Sequence, residues 1–332
     1  YQKYIKDLLQ KKVKMPTSIG YGNGYEVSYM NSGKMTNKGW EFRVDAVPFE
    51  NRDWRVGFYF NIAHNENKIT EMPDNYTEEN YTFNNGEYAY RREEGRPMGS
   101  FYGYRYKGVC QNKDATYARD ADGNVMKDIS GNAIVMRNGT ATIAPGDALY
   151  EDINHDGVIN QYDIVYLGNS NPRFTGGAGV NVSYKQFKLS AIFYGRYGQD
   201  VVNSTRLNNE SMRGIDNQST AVLRRWRNEG DQTDIPRALY GEGYNTLGSD
   251  RFVEDASYLR LKSLSFNYRL PKKIIQRWGF SNIDVYVTGY NLFTWTKYTG
   301  QDPEVKTENT YARDSATTPA SIQLVAGFNL SF

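Results

Sequence analysis

From Ile322 to Phe332 the chain alternates with a two-residue period: Ile322, Leu324, Ala326, Phe328, Leu330 and Phe332 on one parity, Gln323, Gly327, Asn329 and Ser331 on the other, with Val325 the one exception. A 3.6-residue period would scatter those apolar side chains around a helix, whereas a strand puts them all on one face. The pattern returns along the chain. Trp40, Phe42, Val44 and Ala46 alternate with Glu41, Arg43 and Asp45; after a tight turn at 50–53, Trp54, Val56, Phe58, Phe60 and Ile62 alternate with Arg55, Gly57, Tyr59 and Asn61. Phe174, Ala178, Val180, Val182 and Tyr184 share a parity, and beyond Lys185-Gln186 so do Phe187, Leu189, Ala191 and Phe193. Leu264, Phe266, Tyr268 and Leu270, then Ile283, Val285 and Val287, complete the set, with Pro271 to Gly279 fitting one short helical turn between them. These strands predict an all-β, antiparallel fold.

What covers the apolar faces is the next question. No run of about 18 apolar residues exists, so no helix is long and apolar enough to cross a membrane; a transmembrane strand needs only about 9–11 residues with one apolar face. A soluble sandwich competes with a membrane barrel, because alternation alone does not choose between protein and lipid as the apolar neighbour. Aromatic content is high (28 Tyr, 15 Phe, 5 Trp), which argues against global disorder. Lys and Arg number 40 against 38 Asp and Glu, a net charge of +2 that does not suit a nucleic-acid-coating protein. The single cysteine, Cys110, excludes an internal disulfide framework and a Cys-rich zinc module.

Connections are unequal. Turns near 49–53, 185–187 and 271–281 are short, whereas polar segments at 15–38, 65–82, 110–172, 198–255 and 297–319 are long. Short periplasmic turns and long extracellular loops are the asymmetry of outer-membrane barrels. If the last strand descends to the periplasm, the strand ending at 64 and the one starting at 173 need either one outer segment of over a hundred residues or an extra pair of strands. The pair is the expectation, over 83–93 and 97–109 with a turn at Glu94-Gly95-Arg96-Pro97, giving about ten strands including a partial first one. Phe58, Phe60, Val180, Val182, Leu264 and Phe266 are then expected to face lipid, and Arg43, Asp45, Arg55, Tyr59, Asn181 and Asn267 the lumen, with Trp40 and Trp295 near the outer rim and Trp54 and Phe332 near the inner one.

One segment carries chemistry of its own. In the stretch from Asp152 to Asp163, Asp152, Asn154 and Asp156 occupy positions 1, 3 and 5 of an EF-hand-type loop, Gly157 sits at the sharp turn, Val158 offers its carbonyl, and Asn160 and Asp163 take positions 9 and 12. Calcium is the expected ion; an Asx-rich turn that satisfies its own backbone is the alternative. A one-carbon-shorter Asp163 in place of glutamate makes bidentate closure harder. No catalytic site is expected: only His64 and His155 exist, and His155 lies inside that loop. Gly20, Gly22 and Gly24 lack the strand-turn-helix context of a dinucleotide site, and Arg224, Arg225 and Arg227 around Trp226 read as a solvated loop face.

Several ordered segments resemble the C-terminal region of the SusC/RagA family of TonB-dependent outer-membrane transporters from Bacteroidetes: Asn37-Lys38-Gly39-Trp40-Glu41, the run from Gly95 to Tyr104, Gly146-Asp147, Tyr150-Glu151-Asp152 through Gly168-Asn169, Asn171-Pro172, Tyr258-Leu259-Arg260-Leu261-Lys262, Leu270-Pro271-Lys272, and Gly289 to Thr294. The resemblance covers nearly the whole chain. It implies that residues 1–332 are the C-terminal portion of a barrel of about 22 strands, in the cell outer membrane of a Gram-negative bacterium, whose plug and N-terminal remainder lie outside this chain. It also implies import of oligosaccharides or peptides with a SusD-like surface lipoprotein, energised by TonB through the plug, and no enzyme activity. The reading from a different class is a secreted β-rich glycan-binding or adhesive protein with a structural calcium loop.

Overall fold

The computed structural model describes residues 1–332 except 8, 15–25, 32, 73–78, 81, 242, 306, 309 and 310; the Gly20, Gly22 and Gly24 cluster lies outside the described residues. Eight strands form one sheet in chain order: β1 (Gln2–Lys6), β2 (Lys34–Glu50), β3 (Trp54–Glu71), β4 (Phe174–Tyr184), β5 (Phe187–Tyr197), β6 (Tyr258–Arg269), β7 (Asn282–Thr296) and β8 (Gln323–Ser331). Every neighbouring pair is antiparallel. Among the described residues the outer edges of β1 and β8 carry no further partner in this sheet.

The strands meet at one end through short connections, and each has a local cause. Asn51 folds the β2–β3 turn by accepting the N–H groups of Asp53 (2.9 Å) and Trp54 (2.8 Å) on its side-chain oxygen. Lys185, at φ 51°, closes the two-residue β4–β5 turn. Between β6 and β7, Pro271 leads into a helical turn at Lys272–Ile275 that Gly279 ends in the left-handed region at φ 81°. The β2–β3 register shifts between Ala46 and Phe49, where Pro48 has no N–H to give to the ladder.

At the other end, the described residues of segments 72–173, 198–257 and 297–322 fold into a cap with its own hydrophobic cores. Tyr104, Tyr150, Ile159 and Leu247 belong to one core; Phe101, Val202, Leu207 and Phe252 to a second; Val201, Tyr298 and Val305 to a third.

The extra membrane pair over 83–93 and 97–109 is not present. β3 pairs directly with β4 from Trp54–Tyr184 to His64–Phe174, so one long segment leaves and re-enters the sheet at the same end. Ser100–Gly103 and Tyr106–Val109 are cap strands, paired with Val165–Asn169 and Ala148–Tyr150. The physical reason is two-sided burial: Ser100, Phe101, Tyr102 and Gly103 are all buried, whereas a spanning strand would show alternation. Glu94 to Pro97 does turn, with Gly95 at φ 83°, but it packs on the end of β3, where Ile69 donates to the Arg96 carbonyl. The sheet therefore has eight strands, not about ten.

Candidate functional site

Register settles which side chains share a face. Phe58, Val180, Ala191 and Leu264 stand opposite one another across β3 to β6, and Val182, Leu189, Phe266, Val287 and Ala326 do so across β4 to β8. These faces are open: Phe58 and Phe60 are each 40% exposed, Phe266 47% and Phe328 68%. An apolar surface that runs across seven strands exceeds anything a soluble monomer leaves uncovered.

The opposite face is polar along the same registers. Gly57, Asn181, Ser190, Ser265 and Thr288 form one row, and Arg55, Ser183, Lys188, Asn267 and Tyr286 the next. Ser190 donates to Asn181 (2.8 Å), Ser265 and Thr288 share a hydrogen bond (2.8 Å), Arg43 pairs with Asp45 (2.6 Å) and Arg269 with Asp284 (2.9 Å). Asp45, Arg55, Tyr59, Asn181 and Lys188 surround a depression of about 470 Å³ on this face. It brings together four of the six side chains expected at the lumen; Arg43 and Asn267 lie on the same face outside it. Glycines let tyrosines lie flat here: a Cβ on Gly179 would fall 2.0 Å from the Tyr59 ring, and one on Gly327 would fall 2.6 Å from the Tyr286 hydroxyl.

Above the sheet, buried ion pairs tie segments distant in sequence. Glu210 binds Arg206 (3.0 Å) and Arg251 (2.8 Å), and Arg206 reaches on to Glu254 (3.2 Å). Asp147 takes Arg237 and Asn245. Arg260, at the cap end of β6, holds Asp302 and Glu304 from the segment after β7, and Lys262, at the β6 register shift, adds a second cation to Glu304 at 2.9 Å. Where both partners are covered, as in Arg251–Glu210, the pair fixes the segments it joins, since removing one partner strands the other. Burial pushes the Cys110 thiol up to about 11, which keeps it protonated and unreactive.

The loop from Asp152 to Asp163 wraps its side chains inward. The Asp152 carboxylate accepts the N–H groups of Asp156 (3.3 Å) and Gly157 (2.7 Å), Asn154 accepts Asp156 N–H (3.2 Å), and Asp156 accepts Val158 N–H (2.8 Å). His155 and Gly157 make the sharp turn at φ 56° and 81°. Asp163, 1% exposed, accepts Ile153 N–H and Asn160 N–H on separate oxygens, both at 2.8 Å, and forms a reciprocal cap with Asn160. Burial raises the Asp163 pKa despite those two N–H groups, and the nearby Asp152 charge adds to the rise. Among the described residues no three carboxylate, thiol or imidazole groups come together as a ready-made cage, so a cation here needs Asn154 and a backbone carbonyl as well as the acids. The donor set still fits a hard cation: it is all oxygen, and no Lys or Arg among the described residues forms an ion pair with Asp152, Asp156 or Asp163.

The remaining sequence candidates resolve as structure. His64 is a strand-end residue whose Nδ1 lies 2.6 Å from the Arg173 carbonyl, its ring beside those of Trp40 and Phe174. Trp226 packs over Gly146, where a Cβ would sit 2.3 Å from its ring. Apart from the local Arg206–Glu210 pair, the ion-pair networks and the tyrosine-over-glycine contacts were not visible in the sequence, because their partners are dozens of residues apart.

No family model matches the chain. It is 32% identical over 304 residues to TonB-dependent receptor P3 of Formosa agariphila, covering 89% of this chain and 28% of that protein. To TonB-dependent receptor SusC of Bacteroides thetaiotaomicron it is 25% identical over 336 residues, covering 98% of this chain and 29% of that protein. Among solved structures it superposes on the RagAB peptide importer in the closed-closed state with a TM-score of 0.71 at 25% identity, and on another structure of the RagAB peptide transporter with 0.69 at 26%. The whole chain takes part in both superpositions and spans 33% and 32% of those chains, a share close to that of the curated relatives.

Proposed function

Since the chain belongs to the SusC/RagA family of TonB-dependent transporters in the outer membrane of Gram-negative Bacteroidetes, we propose that its sheet is the C-terminal sector of a closed, plugged barrel of about 22 strands that imports oligosaccharides or peptides. The observation that carries this reading is the two-faced sheet. Its apolar face meets lipid, and its polar face, with Arg43, Asp45, Arg55, Tyr59, Asn181 and Asn267, lines the lumen. A barrel spans a bilayer only when every strand edge is paired, so β1 and β8 bond to strands of the N-terminal remainder. The cap lies at the extracellular end, where a SusD-like lipoprotein closes over it and cargo meets its loops. TonB acts through the plug. An adhesive secreted protein has no use for a seven-strand apolar face, and the outer-membrane location of the family removes that reading.

The loop at 152–163 binds one calcium ion through Asp152, Asn154, Asp156, the Val158 carbonyl, Asn160 and Asp163. The ion neutralises clustered acids and orders the loop, a structural role.

The test is growth and uptake with the complete transporter. Deleting its gene should abolish uptake of labelled oligosaccharides or of labelled peptides, a loss reproduced by deleting TonB. Uptake of both classes unchanged, with no heat-modifiable barrel in the outer-membrane fraction, would refute the assignment.

A further inference from the structure

The apolar face is not uniformly ridged. Gly176 and Gly195 stand opposite each other in the β4–β5 register, with Ile62 and Leu259 as their outer neighbours, so in this row of four adjacent strands the two middle positions present no side chain. The result is a groove of about 680 Å³ near the cap end, walled by Phe60, Phe174, Phe193, Leu259 and Trp295. That volume lies within the range of small-molecule sites. Neither floor position tolerates a side chain: a Cβ on Gly176 would meet the Asn61 carbonyl oxygen at 2.5 Å, and one on Gly195 the Tyr258 carbonyl oxygen at 2.7 Å.

One end of the groove is charged. Arg196 and Lys297 line it together with Asp255. The Asp255 carboxylate is engaged by the Ser257 N–H and hydroxyl, and Arg196 Nε donates to the Tyr194 hydroxyl (3.2 Å). Lys297 is exposed and, among the described residues, forms no ion pair. An apolar trough with aromatic walls, ending where Arg196 and Lys297 outnumber the one carboxylate of Asp255, matches an amphiphile with an anionic head.

We propose that this groove binds one chain of a phosphate-bearing membrane lipid, the acyl chain lying over Gly176 and Gly195 and the phosphate against Lys297. The proposal rests on the apolar face meeting lipid. It goes beyond that reading in requiring a discrete, saturable site rather than bulk solvation.

The complete transporter, delipidated in detergent, would be titrated with phosphatidic acid brominated along its chains and, separately, with brominated diacylglycerol. Subtracting the signal of a Trp295→Phe variant isolates quenching at Trp295. Quenching by phosphatidic acid should saturate; Lys297→Glu should raise its half-saturation about fivefold and leave diacylglycerol unaffected. Ala178→Leu, which fills the trough beside Phe60 and Phe193, should raise both about tenfold, with heat-modifiable mobility confirming that the variant folds. Quenching that rises in proportion to lipid and ignores both variants would overturn the site yet leave the membrane face intact. A wild-type Trp295 shielded from lipid while Ala178→Cys cross-links two copies would overturn it in favour of a second copy as occupant. No quenching of any tryptophan would remove the membrane reading as well.

Discussion

Phe58, Phe60 and Phe266 in the sheet each keep two-fifths or more of their surface open, while Phe101, Tyr102, Tyr150 and Phe252 in the cap are fully covered. Both regions draw on aromatic residues, and the solvent each meets decides how these are used. The sheet is one layer thick, so it buries nothing against itself and leaves its apolar face open, which the proposed function assigns to lipid. The cap is a conventional globule whose aromatics pack with one another, as Tyr88 does edge-on against Phe101 at 6.3 Å. Its Arg251–Glu210 pair is buried, whereas in the sheet the Arg43–Asp45 pair stays exposed on the polar face. A substitution should therefore act through cavity formation in the cap and through transfer to lipid in the sheet.

The largest effect is expected in the cap. Phe101→Ala should cost about 3–5 kcal/mol by leaving a void among Tyr88, Val202 and Phe252. If cap and sheet are stabilised separately, limited proteolysis of the variant should cut the cap first while the barrel keeps its heat-modifiable mobility. Simultaneous loss of both would show that the two regions share one cooperative unit.

Next is the sheet. Arg at Phe58 or Val182 should cost about 2–4 kcal/mol near the bilayer midplane, and Arg at Asn181, next to Val182 but on the other face, or at Asn267 far less. Urea titration of the complete barrel refolded in vesicles measures the difference, and equal costs at the two sets would contradict the face assignment.

The same contrast explains what could be read from the sequence. In the sheet the two-residue alternation records the surroundings of each strand but β1, so seven of the eight strands, the helical turn after Pro271 and the shared face of the polar residues from Arg43 to Asn267 were legible. In the cap, burial on both faces erases alternation. Ser100–Gly103 is held by Val165–Asn169, over sixty residues away, and Arg251 finds Glu210 across forty-one positions, distances over which one sequence carries no local mark. The loop at 152–163 is the cap's exception in its backbone geometry alone, because the Asx side chains that cap it sit at fixed short spacings.

That loop supplies the third prediction. With calcium at a hundredfold excess over its Kd, binding should stabilise the cap by about 2.7 kcal/mol, and Asp156→Ala should abolish the gain. The sign of the pH dependence follows from Asp163. Its pKa is raised by burial, so in the calcium-free loop the proton is held more tightly than in the unfolded chain, and its charged form opposes folding until a cation arrives. Calcium must displace that proton, so calorimetric affinity should fall as pH is lowered toward the raised value. A calcium response absent from both wild type and Asp156→Ala would leave the self-satisfied Asx turn as the whole account.

The smallest effect is expected at the seam, where Asp302 ties the cap to β6. Burial alone would raise its pKa, but the N–H groups of Ala320 and Glu304, together with the Arg260 guanidinium, outweigh that and hold it below the ordinary aspartate value of 3.8. A depressed carboxylate contributes stability that is fully present above its unfolded pKa and lost as pH falls through the folded one. The contact of 297–322 with the sheet should therefore be intact at neutral pH and loosen below about pH 4. Amide exchange followed against pH separates the regions. Protection near Ala320 should drop on acidification, while protection in β4 and β5, which have no comparable acid anchor, should not change. If Asp302→Asn leaves the pH dependence at Ala320 intact, the seam is held by something other than this carboxylate, and the separate stability of sheet and cap would need a different anchor.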